Sequence, residues 1–263
     1  MAYQSTSVME TLEKINSSYF LPSLQRPYVW GTKDIELLFD SLMRKYPISS
    51  FLIWDVKPGD IDGLNVYKFI EDYAVDTSMN ASANIGNQRV SLVLDGQQRL
   101  TSLLIGLKGS FTKNVGKKVK QQYLYMDLLR MPMNEKFGGD RGYAFKFMEP
   151  DDVVSSKEQQ WFRVSHMNTC RSREGLDRLA NEVCSDSSAA FQLFPDQINV
   201  INQNLTGLWE ALWKTDNIAY YTEKGTNHER VLEIFIRANS AGEKLSKSAL
   251  MFSAIVTSWG ESN

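Results

Sequence analysis

The segment from Asp95 to Thr101, Asp-Gly-Gln-Gln-Arg-Leu-Thr, combines the residue types that bind phosphate. A strand pattern ends at Asp95, Gly96 breaks it, and helical periodicity begins at Gln97. The free amides and the positive dipole end of a helix N-terminus attract anions, and an arginine such as Arg99 can fork onto phosphate oxygens. Asp95 could hold a metal ion or orient a water molecule. The alternative is a structural turn in which Arg99 forms an ion pair with Asp95.

A second polar segment, Gln25 to Trp30, lies in a stretch that two prolines keep extended. Alternate side chains of a strand share one face, so Arg26, Tyr28 and Trp30 are predicted to lie together. A cation flanked by aromatic rings suits a nucleotide base or a phosphate. The alternative is that the two rings belong to the core and that Arg26 pairs with a carboxylate.

A third segment runs from Phe235 to Ser246, where one helix ends in a glycine turn and another begins. Arg237 and Asn239 are polar residues beside the apolar stripe of the first helix, and this favours a role at a site. Without them the segment is typical of an ordinary connection between helices.

The elements that must position these segments are predicted from hydrophobic periodicity. A mixed α/β N-terminal half and a helical C-terminal half are expected. The main predictions are an amphipathic helix at 32–45, strands at 50–55, 90–95, 122–129 and 143–148, a loop-rich insertion at 56–88, a helix at 97–107, and helical segments from 151 onward.

Charge and composition limit the possible functions. The 263 residues carry 29 Lys and Arg against 31 Asp and Glu, and this near-neutral balance excludes a protein that coats nucleic acid non-specifically. Residues 101–148 nevertheless hold nine basic and three acidic side chains. They form either a DNA-contacting patch or a solvated hairpin. The lysines at its centre are Lys113, Lys117, Lys118 and Lys120.

Two cysteines and two histidines exclude a disulfide scaffold and a zinc motif, and they favour a reducing, cytoplasmic setting. No apolar run is long enough to span a membrane, and the N-terminus lacks the pattern of a signal peptide. An HNH nuclease centre needs histidines in an arrangement that His166 and His228 do not provide.

The three segments, taken in order, resemble the hallmarks of the GmrSD-type restriction endonuclease N-terminal domain. These hallmarks are Q-R-x-Y-x-W, D-G-Q-Q-R-L-T and F-x-R-x-N-x-x-G-x-x-L-S, and the resemblance covers residues 7–259. It implies an α+β fold. A ParB/sulfiredoxin-like nucleotide-binding region would occupy residues 1–150, and a helical region packed on it would occupy residues 151–263, truncated before an effector domain.

The resemblance also implies a function, namely an NTP-binding and hydrolysing sensor of a bacterial or archaeal anti-phage restriction system directed at modified DNA. Its nucleotide would be GTP or ATP with Mg²⁺. Its partners would be double-stranded DNA and an HNH-type nuclease domain in cis or in trans, and an oligomer is compatible with it. The alternative is a non-enzymatic reader of modified DNA that regulates a separate nuclease. A ParB-like clamp or nuclease is a further option that rests on fold analogy alone.

Residue roles follow from matching the family pattern to this sequence. The predicted catalytic residues are Asp95, Gln98 and Arg99. The predicted nucleotide-binding residues are Gln25, Arg26, Tyr28, Gly96, Gln97, Thr101, Arg237 and Asn239. The predicted DNA-binding residues are Tyr28, Trp30, Lys113, Lys117, Lys118 and Lys120.

Overall fold

Short strands and amphipathic helices alternate along the chain in the computed structural model. It describes residues 3–22, 27–57, 65–115, 118–132 and 142–225, and within 230–237 all but 232 and 236. The helices are α1 (Val8–Lys14), α2 (Thr32–Met43), α3 (Gln97–Leu107), α4 (Arg173–Ala190) and α5 (Pro195–Trp209). The strands are β1 (Gln4–Thr6), β2 (Tyr19–Pro22), β3 (Ser50–Val56), β4 (Val66–Tyr67), β5 (Asp72–Ala74), β6 (Val90–Asp95), β7 (Ser110–Val115), β8 (Lys118–Asp127), β9 (Phe145–Met148), β10 (Trp161–Arg163) and β11 (Ile218–Glu223).

Local sequence signals set several of these boundaries. The Ser7 side chain accepts a hydrogen bond from the amide of Glu10, and the Glu10 side chain reaches back to the amide of Ser7, so a capping box starts α1. Helix α2 ends before Lys45, which adopts a left-handed φ of 59°. The helix predicted at 32–45 is confirmed close to its predicted limits.

The first sheet contains six strands of the described chain in the order β1-β11-β3-β6-β2-β4. Strand β3 pairs antiparallel with β6 on one side and parallel with β11 on the other. Strand β2 continues the sheet parallel to β6. The sequences of central strands such as these are nearly continuous apolar runs, because both faces of the strand are covered.

The two faces of this sheet belong to two separate cores. Phe51 and Ile53 point into the larger core, which the helices cover, whereas Leu52 and Trp54 point into a smaller one. Val231, on the helical fragment at 230–237, packs in the smaller core. The alternation of side chains along β3 therefore separates the two sides of the domain.

The second sheet has the order β10-β8-β7-β5, and β9 pairs with β8 outside that path. The long strand β8 joins the sheet together, because its first half pairs with β7 and its second half pairs with β9 and β10. Strand β7 lies where the sequence indicated only a basic segment, since its lysine and asparagine obscure the apolar alternation.

The predicted α+β class is confirmed, while the likeness to ParB stays a prediction. The helical prediction from residue 151 onward holds for α4 and α5, but Trp161–Arg163 and Ile218–Glu223 are strands. Strand β11 lies between β1 and β3, so one sheet takes strands from both sides of residue 150. Its tyrosines and threonine suit a pleated surface, and only the neighbouring strands select that conformation.

Residues 133–141, between the predicted strands at 122–129 and 143–148, lie outside the described residues, as does the helix predicted to begin at Ser246. Within the part of the chain that the structure describes, every helix is too short or too polar to cross a lipid bilayer.

Candidate functional site

The turn between β6 and α3 is formed around a glycine that no other residue can replace without strain. Gly96 has a φ of 91° and a ψ of 8°, which is the left-handed region. A Cβ atom placed there would lie 2.1 Å from Cδ1 of the buried Phe51 ring. Leu52 pairs with Asp95 whereas Ile53 pairs with Val93, so a bulge on β6 at Leu94 lies directly before this turn.

The N-terminus of α3 has no side-chain cap, because its N-cap residue is Gly96. The amide of Leu100 donates to the carbonyl of Gly96 at 3.0 Å, which closes the first turn. The amides that precede it in the helix have no intrahelical acceptor, and they carry the positive end of the dipole. The helix N-terminus that the sequence predicts at this turn is therefore present and uncapped, while its binding of an anion stays a prediction.

Arg99 lies on the first turn of α3 but is anchored to the protein itself. Its Nη1 donates to the carbonyl of Ile48, and its Nη2 donates to the carbonyl of Ser50 at 3.2 Å. The guanidinium carbon lies 4.6 Å from the centre of the Phe51 ring. Burial lowers the pKa of Arg99, and the nearby charge of Asp95 partly opposes that shift. The arginine therefore fixes the β3 end to the α3 turn.

Asp95 supplies the carboxylate of this turn, and that carboxylate is partly exposed. Its side chain is 36% exposed, and its Oδ2 lies 3.6 Å from Nη2 of Arg99. The ion pair expected from the structural interpretation is thus present, at a separation longer than a good hydrogen bond. A carboxylate in this position keeps oxygens free to orient water or a cation.

Both glutamines of the turn are engaged with the backbone. Gln97 donates through Nε2 to the carbonyls of Val93 and Leu94, at 3.0 and 3.2 Å. Gln98 accepts at Oε1 from the amide of Val29 and donates through Nε2 to the carbonyl of Pro27, both at 3.0 Å. The side chain of Gln98 therefore holds the extended segment 27–31 against α3, as a strand partner would.

Tyr28 sits in the core and not on the surface. It is 7% exposed, and its hydroxyl lies 2.7 Å from Oγ of Ser102, which is fully buried on α3. The ring of Tyr73 packs edge-on against it at 4.8 Å. The interpretation of Tyr28 as a core aromatic describes this structure, whereas Trp30 is only partly buried.

Replacing Tyr28 by phenylalanine should cost about 1–2 kcal/mol at pH 7, because Ser102 loses its partner. Burial raises the pKa of Tyr28 above its ordinary value of 10.0. A group whose pKa is higher in the folded state than in the unfolded state makes its full contribution to stability at a pH below the unfolded-state pKa. That contribution is lost as the pH rises through the folded-state pKa. The difference in free energy of unfolding between the wild type and Tyr28→Phe should therefore become smaller above about pH 10.

Urea unfolding from neutral to alkaline pH measures this difference. Tyr3→Phe is the control, because Tyr3 is 68% exposed and should change stability little at any pH. A difference in free energy of unfolding that stays constant as the pH rises above about 10 would contradict the assignment of Tyr28 as a buried, neutral tyrosine.

The other predicted nucleotide-binding residues are distributed more widely. Thr101 is buried on α3, at 4% exposure. Arg237 lies on the helical fragment at 230–237, where its Nη2 pairs with Glu233 at 2.5 Å. Three more lie outside the described residues, namely Gln25, Arg26 and Asn239.

The predicted DNA-binding lysines lie on one face of the β7–β8 pair. Lys113 and Lys120 are directly opposite each other, and Lys118 is opposite Val115. Nζ of Lys113 donates to Oγ1 of Thr32 at 3.0 Å, which places it beside the segment that carries Trp30. Lys120 forms an ion pair with Glu149. Lys117 lies outside the described residues.

Sequence reasoning did not find Phe51 and Ser102 as parts of this site. Phe51 lies between Gly96 and Arg99, and Ser102 fixes Tyr28. Phe51 appeared only as one apolar residue of a strand, and no sequence signal separated Ser102 from an ordinary helical serine.

A strand ends in a carboxylate, a left-handed glycine follows it, and a buried arginine holds the uncapped helix that comes next; together they define an α+β domain with a polar strand-to-helix turn. The chain belongs to the GmrSD restriction endonuclease, N-terminal domain family, whose model matches residues 8–256. This confirms the predicted resemblance to the N-terminal domain of a restriction endonuclease.

An uncharacterized protein of Methanocaldococcus jannaschii is 24% identical over 265 residues. The match covers 95% of this chain and 41% of that protein, so the chain spans less than half the length of this curated relative.

Proposed function

We propose that the chain is an NTP-binding and hydrolysing sensor domain within a restriction system that acts on modified DNA. One observation carries the proposal, namely the uncapped N-terminus of α3 beside the partly exposed carboxylate of Asp95. Backbone amides and the helix dipole would hold nucleotide phosphates, and Gly96 gives the turn the left-handed backbone that starts the helix there. GTP and ATP are the nucleotides that the family resemblance favours.

Arg99 has a different role from the one expected of a phosphate clamp. Its two terminal nitrogens already donate to the carbonyls of Ile48 and Ser50. It therefore contributes positive charge to the turn and keeps the amides in place, without needing to fork onto the phosphate. Gln98 likewise positions the segment at 27–31 by its two backbone contacts.

A magnesium ion fits this chemistry. The described residues contain no group of three potential metal ligands among His, Cys, Asp and Glu. Magnesium in phosphate-handling sites needs only one or two carboxylates, since substrate phosphates supply other ligands. Asp95 is the residue that would hold it, and the ion would neutralise charge on the phosphates.

Phosphate release from GTP, ATP, CTP and UTP, with and without duplex DNA, tests the proposal. Asp95→Asn keeps the size of the side chain and removes its charge, so turnover should fall about 100-fold while the fold is retained. Asp177→Asn is the matched control, because it also breaks an (i, i+4) pair with an arginine but lies on α4. Wild-type turnover by Asp95→Asn, or no release by the wild type under any condition, would refute the proposal.

A second candidate function, a non-enzymatic reader of modified DNA, is favoured by the lysines of the β7–β8 pair. Lys113 donates a hydrogen bond to Thr32 in the first turn of α2, and Trp30 stands two residues before Thr32 in the chain. These lysines would contact backbone phosphates, and Trp30 would contact the modified group. Tighter binding of a modified duplex than of an unmodified one, without phosphate release, would select this function.

The nuclease activity belongs, in our proposal, to an HNH-type domain acting in cis or in trans, in the cytoplasm of a bacterium or an archaeon. His166 is exposed and packs edge-on against Phe162, as a surface histidine does. Among the described residues its surroundings do not provide a metal-ligand group. The sensor would regulate that domain through nucleotide turnover, alone or as an oligomer.

A further inference from the structure

The second sheet has two faces, and the face opposite to Lys113 and Lys120 carries aromatic as well as basic side chains. Strand β8 alternates, so Lys120 shares the core-directed side with Leu124, while Tyr123 and Tyr125 point to the opposite side. In register, Tyr125 lies between Lys146 of β9 and Arg163 of β10. We call the four residues on this side, Tyr123, Tyr125, Lys146 and Arg163, the outer face. Tyr125 is only 7% exposed, so a ligand can reach this face only at Tyr123, Lys146 and Arg163.

Arg163 and Tyr123 form a stacked pair on the outer face. The guanidinium carbon of Arg163 lies 3.7 Å from the centre of the Tyr123 ring, which is van der Waals contact. Nε of Arg163 is buried and has no hydrogen-bond partner in the structure. Among the described residues, no carboxylate lies within ion-pair distance of this guanidinium. The positive charge of Arg163 is therefore stacked on the Tyr123 ring and is not paired with a carboxylate of the described residues.

Lys146 adds a second unneutralised charge to the outer face. Its side chain is exposed, and none of the ion pairs among the described residues includes it. It lies two strands away from Arg163, which corresponds to about 10 Å across the sheet. The spacing leaves room for a ligand that touches both cations.

The acidic residue nearest in register does not cancel these charges. Asp127 is opposite Trp161 on the same side of β8, but it is only 4% exposed. Its Oδ1 accepts hydrogen bonds from the amides of Leu129 and Gln160, at 3.1 and 3.0 Å. The accessible charge of the outer face is therefore positive.

We propose that the outer face binds an unpaired strand of nucleic acid, with a base stacked on the Arg163–Tyr123 pair and a phosphate bound by Lys146. Stacked arginine and tyrosine suit any exposed base, whereas a base paired within a duplex cannot present its ring face. The proposal concerns a different sheet face from the lysine pair and does not depend on nucleotide turnover at α3.

Fluorescence polarisation with a labelled oligothymidylate of about 15 nucleotides, and with the matching duplex, tests the proposal. The single strand should bind more tightly than the duplex. Arg163→Lys keeps the charge but loses the flat stacking group, so strand binding should weaken about tenfold. Lys146→Gln should lower the slope of log K against log salt by about 0.7, the value expected for one lost phosphate contact.

Lys68→Gln is the matched control, because Lys68 is exposed beside β4 at the edge of the first sheet, and it should bind the strand like the wild type. Thermal unfolding of each variant confirms that the fold is retained. Equal binding of strand and duplex, or wild-type strand affinity in Arg163→Lys, would overturn the proposal.

Discussion

Replacing Gly96 by alanine is expected to destabilise the protein by about 3 kcal/mol, since two costs add. The left-handed backbone costs an alanine about 1 kcal/mol relative to glycine. The new methyl group would lie 2.1 Å from Cδ1 and 2.6 Å from Cε1 of Phe51, and such overpacking costs about 1–3 kcal/mol more. Phe51 is itself 2% exposed, so it has little room to move.

The control for this prediction is Gly86→Ala. Gly86 also has a positive φ, of 52°, but no atom lies within 4 Å of the position that its Cβ would occupy. It should lose only the backbone cost of about 1 kcal/mol. Urea unfolding measures both variants, and equal losses would mean that the Phe51 contact has no energetic effect.

A double variant isolates the clash. Phe51→Ala alone removes a buried ring and should cost about 3–5 kcal/mol. In Gly96→Ala with Phe51→Ala the methyl group finds space, so the combined loss should be smaller than the two single losses added together. Strict additivity would show that Gly96 is required for its backbone conformation alone.

Replacing Arg99 by leucine is expected to cost about 3 kcal/mol. The carbonyls of Ile48 and Ser50 would lose charged donors in a partly buried setting, and each unsatisfied carbonyl costs about 1–3 kcal/mol. Part of this loss is offset, because the variant no longer buries a guanidinium. Arg99→Lys should fall between wild type and Arg99→Leu, since a single ammonium cannot reach both carbonyls in the same geometry.

Arg173→Leu is the control for Arg99→Leu. Arg173 also pairs with an aspartate four residues away, but both members of that pair are exposed, so the change in free energy of unfolding should lie within about 0.5 kcal/mol. Chemical denaturation of the three variants measures the difference. A loss of phosphate release in Arg99→Leu counts toward catalysis only after correction for the folded fraction, and an unchanged unfolding midpoint would contradict the anchoring role.

Asp95 and Arg99 therefore separate function from stability within one turn. Asp95 is partly exposed, whereas Arg99 is mostly buried and bound to backbone carbonyls. We expect Asp95→Asn to affect turnover, and Arg99→Leu to affect folding first. Without a measurement of stability, the loss of turnover in Arg99→Leu would be mistaken for the loss of a catalytic group.

The predicted strand and helix around Gly96 match the structure at both ends. Both were accessible from sequence because they depend on local information, namely an apolar run, a glycine and helical periodicity. Strand β11 was missed, since residues Ile218–Glu223 become a strand only by lying between β1 and β3.

The sequence alone determined which residues stand at the turn between β6 and α3 and which family the pattern resembles, because both depend on residue types at short spacings. Only the tertiary structure decided what those residues do. Arg99 binds carbonyls of a segment about fifty positions earlier, and Tyr28 turns inward to Ser102. Contacts between distant segments depend on how strands pair and which face each strand buries, and a period of two in the sequence does not specify either.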